Sequence, residues 1–361
     1  MTTEKTISER KADHIDLCAT GDVGFHRKTT LLEEVELVHD ALPELSLDDI
    51  DTSVTLFGKK LRVPLFVAAM TGGTERARQI NRELARIAEE RGYGFGLGSQ
   101  RAMLAGPSST YEVRDVAPTT LLLGNIGAVQ ARSLPTEAVA ELAAKVGADA
   151  MCVHMNPAME LVQPEGDRYF AGALGAMERL TEELDIPVVA KETGCGIGPS
   201  AALRLAVAGI RHVDVSGAGG TSWVAVEAMR ATEGARDLGE ALREWGVPTA
   251  ASVVLCKAVR PRFKTILATG GIKCGLDVAK AITLGAHAAG IARPTLQALL
   301  EGGPEQASAF LECVETELKA VMLLTGSADI SALHRAPTLC GGRLRTWRKL
   351  ARKLRSRRAG G

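Results

Sequence analysis

The stretch KTILATGGIKCGLDVAKAITLGAHAAGIARP, residues 264 to 294, contains one complete β-α-β unit. It begins with the apolar run KTILATGG (264 to 271), continues with an amphipathic segment, and ends with a second apolar run, AAGIAR (288 to 293). Strands that alternate with helices predict right-handed crossovers and a parallel sheet. Because the same unit recurs from Val63 onward, the repetition predicts the fold class.

Nine apolar runs follow this pattern, which is one more than an eight-stranded barrel needs. They are VPLFVAAM (63 to 70), YGFGLG (93 to 98), TTLLLGNI (119 to 126), ADAMCVHM (148 to 155), IPVVAKE (186 to 192), HVDVSGAG (212 to 219), PTAASVV (248 to 254), KTILATGG and AAGIAR. We interpret PTAASVV as an extended piece of the crossover after strand six, and the last two runs as strands seven and eight. The prediction is an α/β fold, a (β/α)8 TIM barrel. The alternative, a doubly wound open sheet, lacks its GxGxxG turn after the first strand.

The chain of 361 residues is predicted to form one barrel domain with two extensions. Residues 1 to 60 are expected to cap the barrel mouth, 61 to 326 to form the barrel, and 327 to 361 to form a C-terminal loop and basic tail. Hydrophobic residues make up 46% and charged residues 24%, which is ordinary for a globular enzyme. No apolar run is long enough to span a bilayer, and the N-terminus is too charged for a secretory signal.

The seven cysteines are scattered and form no CxxC pair, so we expect free thiols in a reducing cytoplasm and no zinc site. The net charge is zero but unevenly distributed, because residues 343 to 358 hold nine Lys or Arg and no acid. In RLRTWRKLARKLRSRR, apolar side chains recur at helical spacing at Leu344, Trp347, Leu350, Ala351 and Leu354. We expect this helix to pack on its own barrel or on a neighbouring subunit, or to remain mobile. Contact with an anionic membrane surface is the alternative, and no nucleic-acid partner is expected.

Polar residues, together with several glycines and Ala292, stand at the ends of the predicted strands, where active sites of this fold are built. They are Thr71, Gly72, Gly73, Ser99, Gln100, Arg101, Asn125, His154, Asn156, Glu160, Lys191, Glu192, Ser216, Gly217, Gly219, Gly220, Thr221, Gly270, Gly271, Lys273, Ala292 and Arg293. Every strand contributes, so a single shared pocket is predicted.

The loops TGGIKCGLD (269 to 277) and GIARP (290 to 294) together predict a phosphate site. Glycines after strand seven let backbone N–H groups approach an anion, and the N-terminus of the helix after strand eight adds partial positive charge. A mononucleotide such as FMN would fit. The alternative is that Gly270 and Gly271 only permit a tight turn.

Lys191 ends the apolar strand PVVAK, where an unpaired ammonium would be costly. Facing the pocket, it would stabilise negative charge on a reduced flavin or a phosphate; the alternative is a salt bridge with Glu192 or another acid. SGAGGTSW (216 to 223) offers a floor without side chains for a flat ring, with Thr221 able to hydrogen bond to it. ERKADH (9 to 14) could fold over the mouth and hold a diphosphate through Arg10 and Lys11, or could remain a solvated segment.

Taken as a set, these motifs resemble the type 2, FMN-dependent isopentenyl-diphosphate delta-isomerases. The matching segments, which cover about nine tenths of the chain, are ERKADH, AAMTGG (68 to 73), GLGSQR (96 to 101), GNIGA (124 to 128), HMNPAMELVQPEGD (154 to 167), VAKETGCGI (189 to 197), DVSGAGGTSW (214 to 223), ATGGIKCGLDVAK (268 to 280) and GIARP. The resemblance implies conversion of isopentenyl diphosphate to dimethylallyl diphosphate, a 1,3-allylic proton shift that requires reduced FMN, with NADPH as reductant, and Mg2+. It also implies a homo-oligomer.

Site residues are carried over from the same resemblance. FMN binding is implied for Met70, Thr71, Gly72, Ser99, Asn125, Lys191, Thr221, Gly270, Gly271, Ile272, Ala292 and Arg293. Binding of the prenyl diphosphate is implied for Arg10, Lys11, His14, Ser99, Gln100, Arg101, His154 and Asn156. Glu160 matches the metal-binding glutamate, and one carboxylate suffices when the diphosphate supplies other ligands to Mg2+. No side chain is assigned the proton transfer with certainty, which the resemblance gives to the flavin, above all to N5.

Met159 departs from the family pattern, which has glutamine at this position. A thioether is at best a weak hydrogen-bond acceptor, so a proton relay through this side chain is excluded. Three hypotheses follow: the flavin performs the proton transfer while Met159 shapes an apolar wall, Gln163 reaches in as a substitute, or the activity is impaired or altered.

Two other functions remain open. An FMN-dependent 2-hydroxy-acid oxidase would share the barrel and the phosphate loop, but its chemistry needs a histidine base just after strand six, and SGAGGTSW has none. A non-isomerase flavoprotein that uses FMN for sensing or assembly is the second alternative.

Overall fold

The computed structural model describes residues 7 to 356, apart from the side chains of 7 to 10, 233, 355 and 356, and contains eight parallel strands that close into a barrel. The barrel strands, numbered in chain order after three strands of the N-terminal extension, are β4 (Leu65–Val67), β5 (Gly94–Gly96), β6 (Leu121–Gly127), β7 (Ala150–Met155), β8 (Val188–Glu192), β9 (His212–Asp214), β10 (Thr265–Ala268) and β11 (Ala288–Ile291). Neighbours in sequence are neighbours in the sheet, and β11 pairs with β4. The prediction of a (β/α)8 TIM barrel is confirmed.

Helices between and after these strands form the outer layer. They are α2 (Glu75–Arg91), α3 (Ala128–Ser133), α4 (Thr136–Val146), α5 (Pro157–Val162), α6 (Ala173–Glu183), α7 (Pro199–Val207), α8 (Trp223–Arg230), α9 (Glu233–Leu242), α10 (Thr249–Ala258), α11 (Gly275–Leu284) and α12 (Arg293–Leu324). The last is two helices joined at a kink, where Gly303 has φ +73° and Pro304 begins the second part. Glycine permits this left-handed backbone, and proline is well suited to a helix start.

The segment PTAASVV is helical, so our interpretation of it as extended chain is wrong. It begins α10, in which eight of the ten residues are buried. A short apolar run has no decisive period, and burial on nearly every side removes the alternation that would separate a helix from a strand. The segment is not a barrel strand, as predicted.

A hairpin closes the N-terminal end of the barrel. Its strands, β2 (Val54–Leu56) and β3 (Lys59–Leu61), pair antiparallel. Leu56 and Leu61 are buried among side chains of the barrel interior, including Phe66 and Leu267. The extension was expected to cap the mouth, but this part of it lies at the opposite end, because the apolar barrel interior must be covered there as well.

The first helix, α1 (Ile7–Thr20), lies at the other end of the barrel, over the mouth. Its Lys11 ammonium donates to the carbonyl of Ser99 at 3.2 Å. At its C-terminal end, the Arg293 guanidinium donates to the carbonyls of Cys18 and Gly21, both at 2.8 Å. The helix is therefore held at both ends by residues that follow barrel strands.

Residues 327 to 356 are more ordered than the predicted loop and tail. They form α13 (Ile330–Arg335), β12 (Thr338–Cys340) and α14 (Gly342–Ser356), and β12 pairs antiparallel with β1 (Val35–Leu37). The α14 helix packs on α10. Leu344, Ala351 and Leu354 are buried, whereas Leu350, another of the predicted apolar positions, is 38% exposed.

Two negative findings hold for the part of the chain that the structure describes. None of its helices combines the length and apolar character needed to cross a membrane. All seven cysteines are free thiols, in agreement with the expectation from their spacing.

Candidate active site

A cavity of about 780 Å³ lies at the C-terminal ends of the barrel strands, and residues at or just after the ends of all eight strands line it. The volume falls within the range of roughly 300 to 1,000 Å³ that is usual for ligand and cofactor sites. The structure brings together these residues from the predicted set: His14, Met70, Thr71, Ser99, Asn125, His154, Asn156, Met159, Lys191, Thr221, Gly270, Gly271, Ile272, Ala292 and Arg293. Others lie outside the lining: Lys11, Gly72, Gln100, Arg101, Glu160 and Gln163. The Arg10 side chain is outside the described residues.

The phosphate loops form a cradle that only glycine permits. Gly270 and Gly271 have φ +94° and +76°, and a Cβ on Gly270 would lie 2.1 Å from the carbonyl oxygen of Gly217. A Cβ on Gly220 would lie 2.4 Å from the nitrogen of Gly271. The loops after β9 and β10 are therefore packed backbone against backbone, which exposes peptide groups to the cavity.

The N-terminus of α12 lies at the same part of the cavity. It begins at Arg293, and no side chain caps it. Its first N–H groups therefore remain without intrahelical partners and favour an anion. This arrangement fits a phosphate group, in agreement with an FMN site, although the Arg293 guanidinium itself is engaged with the carbonyls of Cys18 and Gly21.

Lys191 lies at the floor of the cavity in a buried ion pair. Its ammonium is 3.6 Å from a carboxylate oxygen of Asp214 and donates to the carbonyl of Glu192 at 2.8 Å. The alternative prediction of a salt bridge with another acid is thus correct, and Lys191 nevertheless faces the cavity. Asp214 is 1% exposed and also accepts a hydrogen bond from the Thr269 hydroxyl at 2.6 Å.

Glu192 orders the loop after β8. One of its carboxylate oxygens accepts hydrogen bonds from the N–H groups of Thr193, Cys195 and Gly196. Burial raises the pKa of Glu192 to about 7. The side chain therefore holds Thr193 and Gly194 at the cavity edge, and its charge changes near neutral pH.

His154 faces the cavity as a neutral imidazole. Its Nδ1 is 2.9 Å from Oδ1 of Asn125, whose amide nitrogen donates to the carbonyl of Leu97 at 3.1 Å. This amide orientation places the proton on Nδ1 and leaves Nε2 as an acceptor. Burial, and then the nearby Lys191 ammonium, lower the pKa of His154 to about 3. His154 therefore offers the cavity a hydrogen-bond acceptor and no positive charge.

Gln100, implied as a substrate ligand, instead supports the cavity wall from beneath. It is fully buried, and its amide oxygen accepts the N–H of Asn125 at 2.9 Å. Its amide nitrogen donates to the carbonyl of Leu142 at 2.8 Å. Because both ends of the amide are engaged, the structure gives Gln100 the role of positioning Asn125 rather than of contacting substrate.

Met159 lines the cavity beside Asn156. The Asn156 amide nitrogen lies 3.8 Å from the Met159 sulfur and donates to Glu160 at 2.8 Å. Gln163 is 2% exposed, and its amide nitrogen has no hydrogen-bond partner among the described residues. Since Gln163 does not line the cavity, the hypothesis that it replaces the family's glutamine loses its support.

Glu160, the implied metal ligand, lies behind Asn156. Its second carboxylate oxygen accepts the N–H of Asp167 at 2.8 Å. Within residues 7 to 356, no group of three His, Cys, Asp or Glu side chains could hold a metal ion. Each carboxylate oxygen retains a further lone pair, so the chemistry of Glu160 suits a Mg2+ ion whose other ligands are phosphate and water, although its side chain does not line the cavity.

The helix over the mouth brings two predicted residues to defined partners. His14 is 2.7 Å from Oε1 of Glu227, a fully buried carboxylate that also pairs with Arg230 at 2.7 Å. Lys11 donates to the phenol oxygen of Tyr111 at 2.5 Å. These two substrate-binding candidates, Lys11 and His14, are therefore held in place by residues of the barrel domain.

Sequence analysis missed several lining residues of this site, among them Phe25, Lys28 and Thr30, and also four residues that support it from behind. Asp214 and Glu227 each give a signal, an acid inside an otherwise apolar strand or helix (HVDV and VAVEAM). Thr249, which donates to the carbonyl of Gly270, was hidden by the incorrect interpretation of PTAASVV. Tyr111 comes from a long connection with no recognisable motif.

Comparison with known proteins gives a consistent assignment. The model of the FMN-dependent dehydrogenase family matches residues 3–159 and 167–339. An isopentenyl-diphosphate delta-isomerase of Methanosarcina acetivorans is 42% identical over 344 residues, which is 93% of each chain. Those of Methanothermobacter thermautotrophicus and a Nostoc species are also 42% identical and cover 94% and 91% of this chain, and 95% of their own lengths. The solved structure of mandelate oxidase with (S)-4-hydroxymandelic acid has a TM-score of 0.63 at 20% identity, covering 91% and 95% of the two chains, which shows a shared fold.

Proposed function

Because the chain belongs to the FMN-dependent isopentenyl-diphosphate delta-isomerase family, we propose that it converts isopentenyl diphosphate to dimethylallyl diphosphate by a 1,3-allylic proton shift. One observation carries the proposal: a single cavity is lined both by the glycine loops that would hold a phosphate and by a second polar set, His14, His154 and Asn156. A flavin nucleotide and a prenyl diphosphate can therefore share the space.

The residues fit FMN in three ways. Gly270 and Gly271, with the N-terminus of α12, would hold its phosphate, and Asn125 and Thr221 offer hydrogen bonds along the wall. Lys191 presents a positive charge, which favours an electron-rich ring. Reduced FMN, when bound, supplies the group that exchanges the proton with the alkene. We propose NADPH as the source of its reducing electrons.

The diphosphate is proposed to lie under α1. In the sequence, Lys11 lies three residues before the cavity residue His14, and Arg101 lies two residues after the cavity residue Ser99. Arg10 directly precedes Lys11 on α1. Neutral His154 and Asn156 contribute hydrogen bonds rather than charge. Glu160 would hold Mg2+ together with diphosphate oxygens and water. The reduced thiols support a cytoplasmic location, and a homo-oligomer is proposed from the family.

Met159 is proposed to shape an apolar wall beside the substrate's carbon chain. A thioether carries no exchangeable proton, so no step of the proton shift passes through this side chain. Methionine fills irregular apolar space well, and its sulfur contacts the Asn156 amide that also holds Glu160.

The test uses purified protein loaded with FMN. A flavin spectrum should appear on loading, and the reduced enzyme with Mg2+ should convert labelled isopentenyl diphosphate to the dimethylallyl isomer. A protein that binds FMN but forms no product under these conditions would be a non-isomerase flavoprotein. Oxidation of 2-hydroxy acids is not expected, because SGAGGTSW after β9 contains no histidine to act as a base.

A further inference from the structure

The floor of the cavity contains a charged pair where the barrel interior would otherwise be apolar. Lys191 and Asp214 are paired residues on β8 and β9. Two residues earlier on the same face of β8, Val189 belongs to the apolar cluster inside the barrel. Because side chains alternate along a strand, Lys191 and Asp214 form the next layer toward the mouth.

Stability does not account for this pair. Lys191 is 7% exposed and Asp214 is 1% exposed, so both ions have lost most of their hydration. A buried ion pair typically stabilises a fold no better than apolar side chains of similar volume. Because the pair lies at the edge of the cavity, we expect it to act on whatever the cavity binds.

We infer that Asp214 is a positioning residue that fixes the Lys191 ammonium at the cavity floor for the cofactor. The carboxylate is itself held in place, since it accepts hydrogen bonds from the Thr269 hydroxyl at 2.6 Å and the Ser216 N–H at 3.3 Å. Its other oxygen lies 3.6 Å from the ammonium. The position of the Lys191 ammonium is thus fixed by contacts from β8, from β9 and from the loop after β10. The inference rests on the proposed use of FMN.

A double-mutant cycle on FMN affinity tests it. Asp214→Asn, Lys191→Met and the double variant are prepared without cofactor and titrated with FMN, and binding is followed by loss of flavin fluorescence. Coupled residues in contact give interaction energies that correspond to roughly tenfold in affinity. We expect Asp214→Asn to weaken FMN binding about tenfold when Lys191 is present and less than about twofold in the Lys191→Met background.

The control is Asp149→Asn. Asp149 is another ion-paired strand-end acid, 2.8 Å from Arg114, but it lies at the opposite end of the barrel, and its loss should leave FMN affinity within about twofold. If Lys191→Met does not fold, Lys191→Gln takes its place with the same expected ratio. Equal losses of affinity in both lysine backgrounds would overturn the inference. Failure of the unmodified protein to bind FMN would instead contradict the proposed function.

Discussion

At the scale of single residues, Met159 is the position where this chain has a thioether and the family pattern has the amide of a glutamine. Its sulfur lies against the Asn156 amide at 3.8 Å, and the same amide holds Glu160. The side chain therefore influences the geometry of two polar groups without exchanging a proton itself. We expect Met159 to affect turnover through the shape of its side chain, and a substitution at this position measures that effect.

We expect Met159→Gln to change turnover by less than about tenfold and to leave FMN affinity unchanged, because the wall keeps a similar volume. The measurement is isomerisation of labelled substrate by the reduced enzyme. Leu161→Gln, on the same helix but 41% exposed, is the control. A gain of several orders of magnitude in Met159→Gln would favour an impaired natural enzyme.

Glu192 predicts a dependence of stability on pH. Its pKa, about 7 in the folded chain, lies above the ordinary 4.5, so the stabilisation linked to its neutral form is complete below pH 4.5 and is lost as the pH rises through 7. The loss amounts to about 3 kcal/mol. Glu192→Gln keeps an acceptor for the three N–H groups and cannot ionise.

The measurement is the free energy of unfolding of both proteins in urea at pH 5 and pH 8. Between pH 5 and pH 8, the free energy of unfolding of the natural chain should fall relative to that of Glu192→Gln by most of this loss of about 3 kcal/mol. A constant difference at both pH values would show that Glu192 does not ionise in this range.

At this scale the sequence shows which polar residues follow strands but not which of them point inward. Gln100 and Arg101 follow β5 in the same motif as Ser99, yet only Ser99 lines the cavity, because a 3-10 turn redirects the chain at Gln100–Leu104. Asp214 was visible as an acid in an apolar strand, but its partner became clear only from the register of β8 and β9.

At the scale of elements, the glycine loops and α10 act together. Thr249 at the start of α10 lies where a Cβ on Gly217 would be, and it hydrogen bonds to Gly270. The glycine pattern was sufficient to single out these closely packed loops, and their binding of a phosphate stays a prediction. The helix behind them was not predictable from PTAASVV, because its conformation is set by burial against the barrel rather than by its own periodicity.

We predict that Gly270→Ala abolishes FMN binding. Its Cβ would meet the Gly217 carbonyl oxygen at 2.1 Å, backbone that cannot move without opening the cradle. Gly209→Ala is the matched control, since Gly209 has a similar φ of +82° but nothing within 4 Å of the added atom. It should cost about 1 to 2 kcal/mol of stability and leave FMN affinity unchanged. Fluorescence titration and urea unfolding distinguish the two effects, and normal binding by Gly270→Ala would contradict the cradle.

At the scale of the whole molecule, the basic C-terminal helix is part of the fold. Leu344 is fully buried, and α14 packs on α10. The spacing of apolar residues predicted the helix correctly, but the surface that it covers could not be inferred without the position of α10.

Leu344→Ala should destabilise the protein by about 2 to 5 kcal/mol, as expected for a buried leucine. Leu350→Ala, on the same helix but 38% exposed, should change stability by no more than about 0.5 kcal/mol. Urea unfolding of both variants provides the comparison. Equal and small effects would mean that α14 does not pack on the barrel in solution.

The pairing of β1 with β12 joins residues 35–37 to residues 338–340. During synthesis on the ribosome, all eight barrel strands emerge before the second member of this pair has been made. The segment that leads from α1 to β1 does not depend on this pair, because Gly24 bridges to Thr221 and the N–H of Ala250 donates to the carbonyl of Thr30 at 2.9 Å. We therefore expect the barrel mouth to be covered before β12 is made, so that cofactor capture does not wait for this pairing.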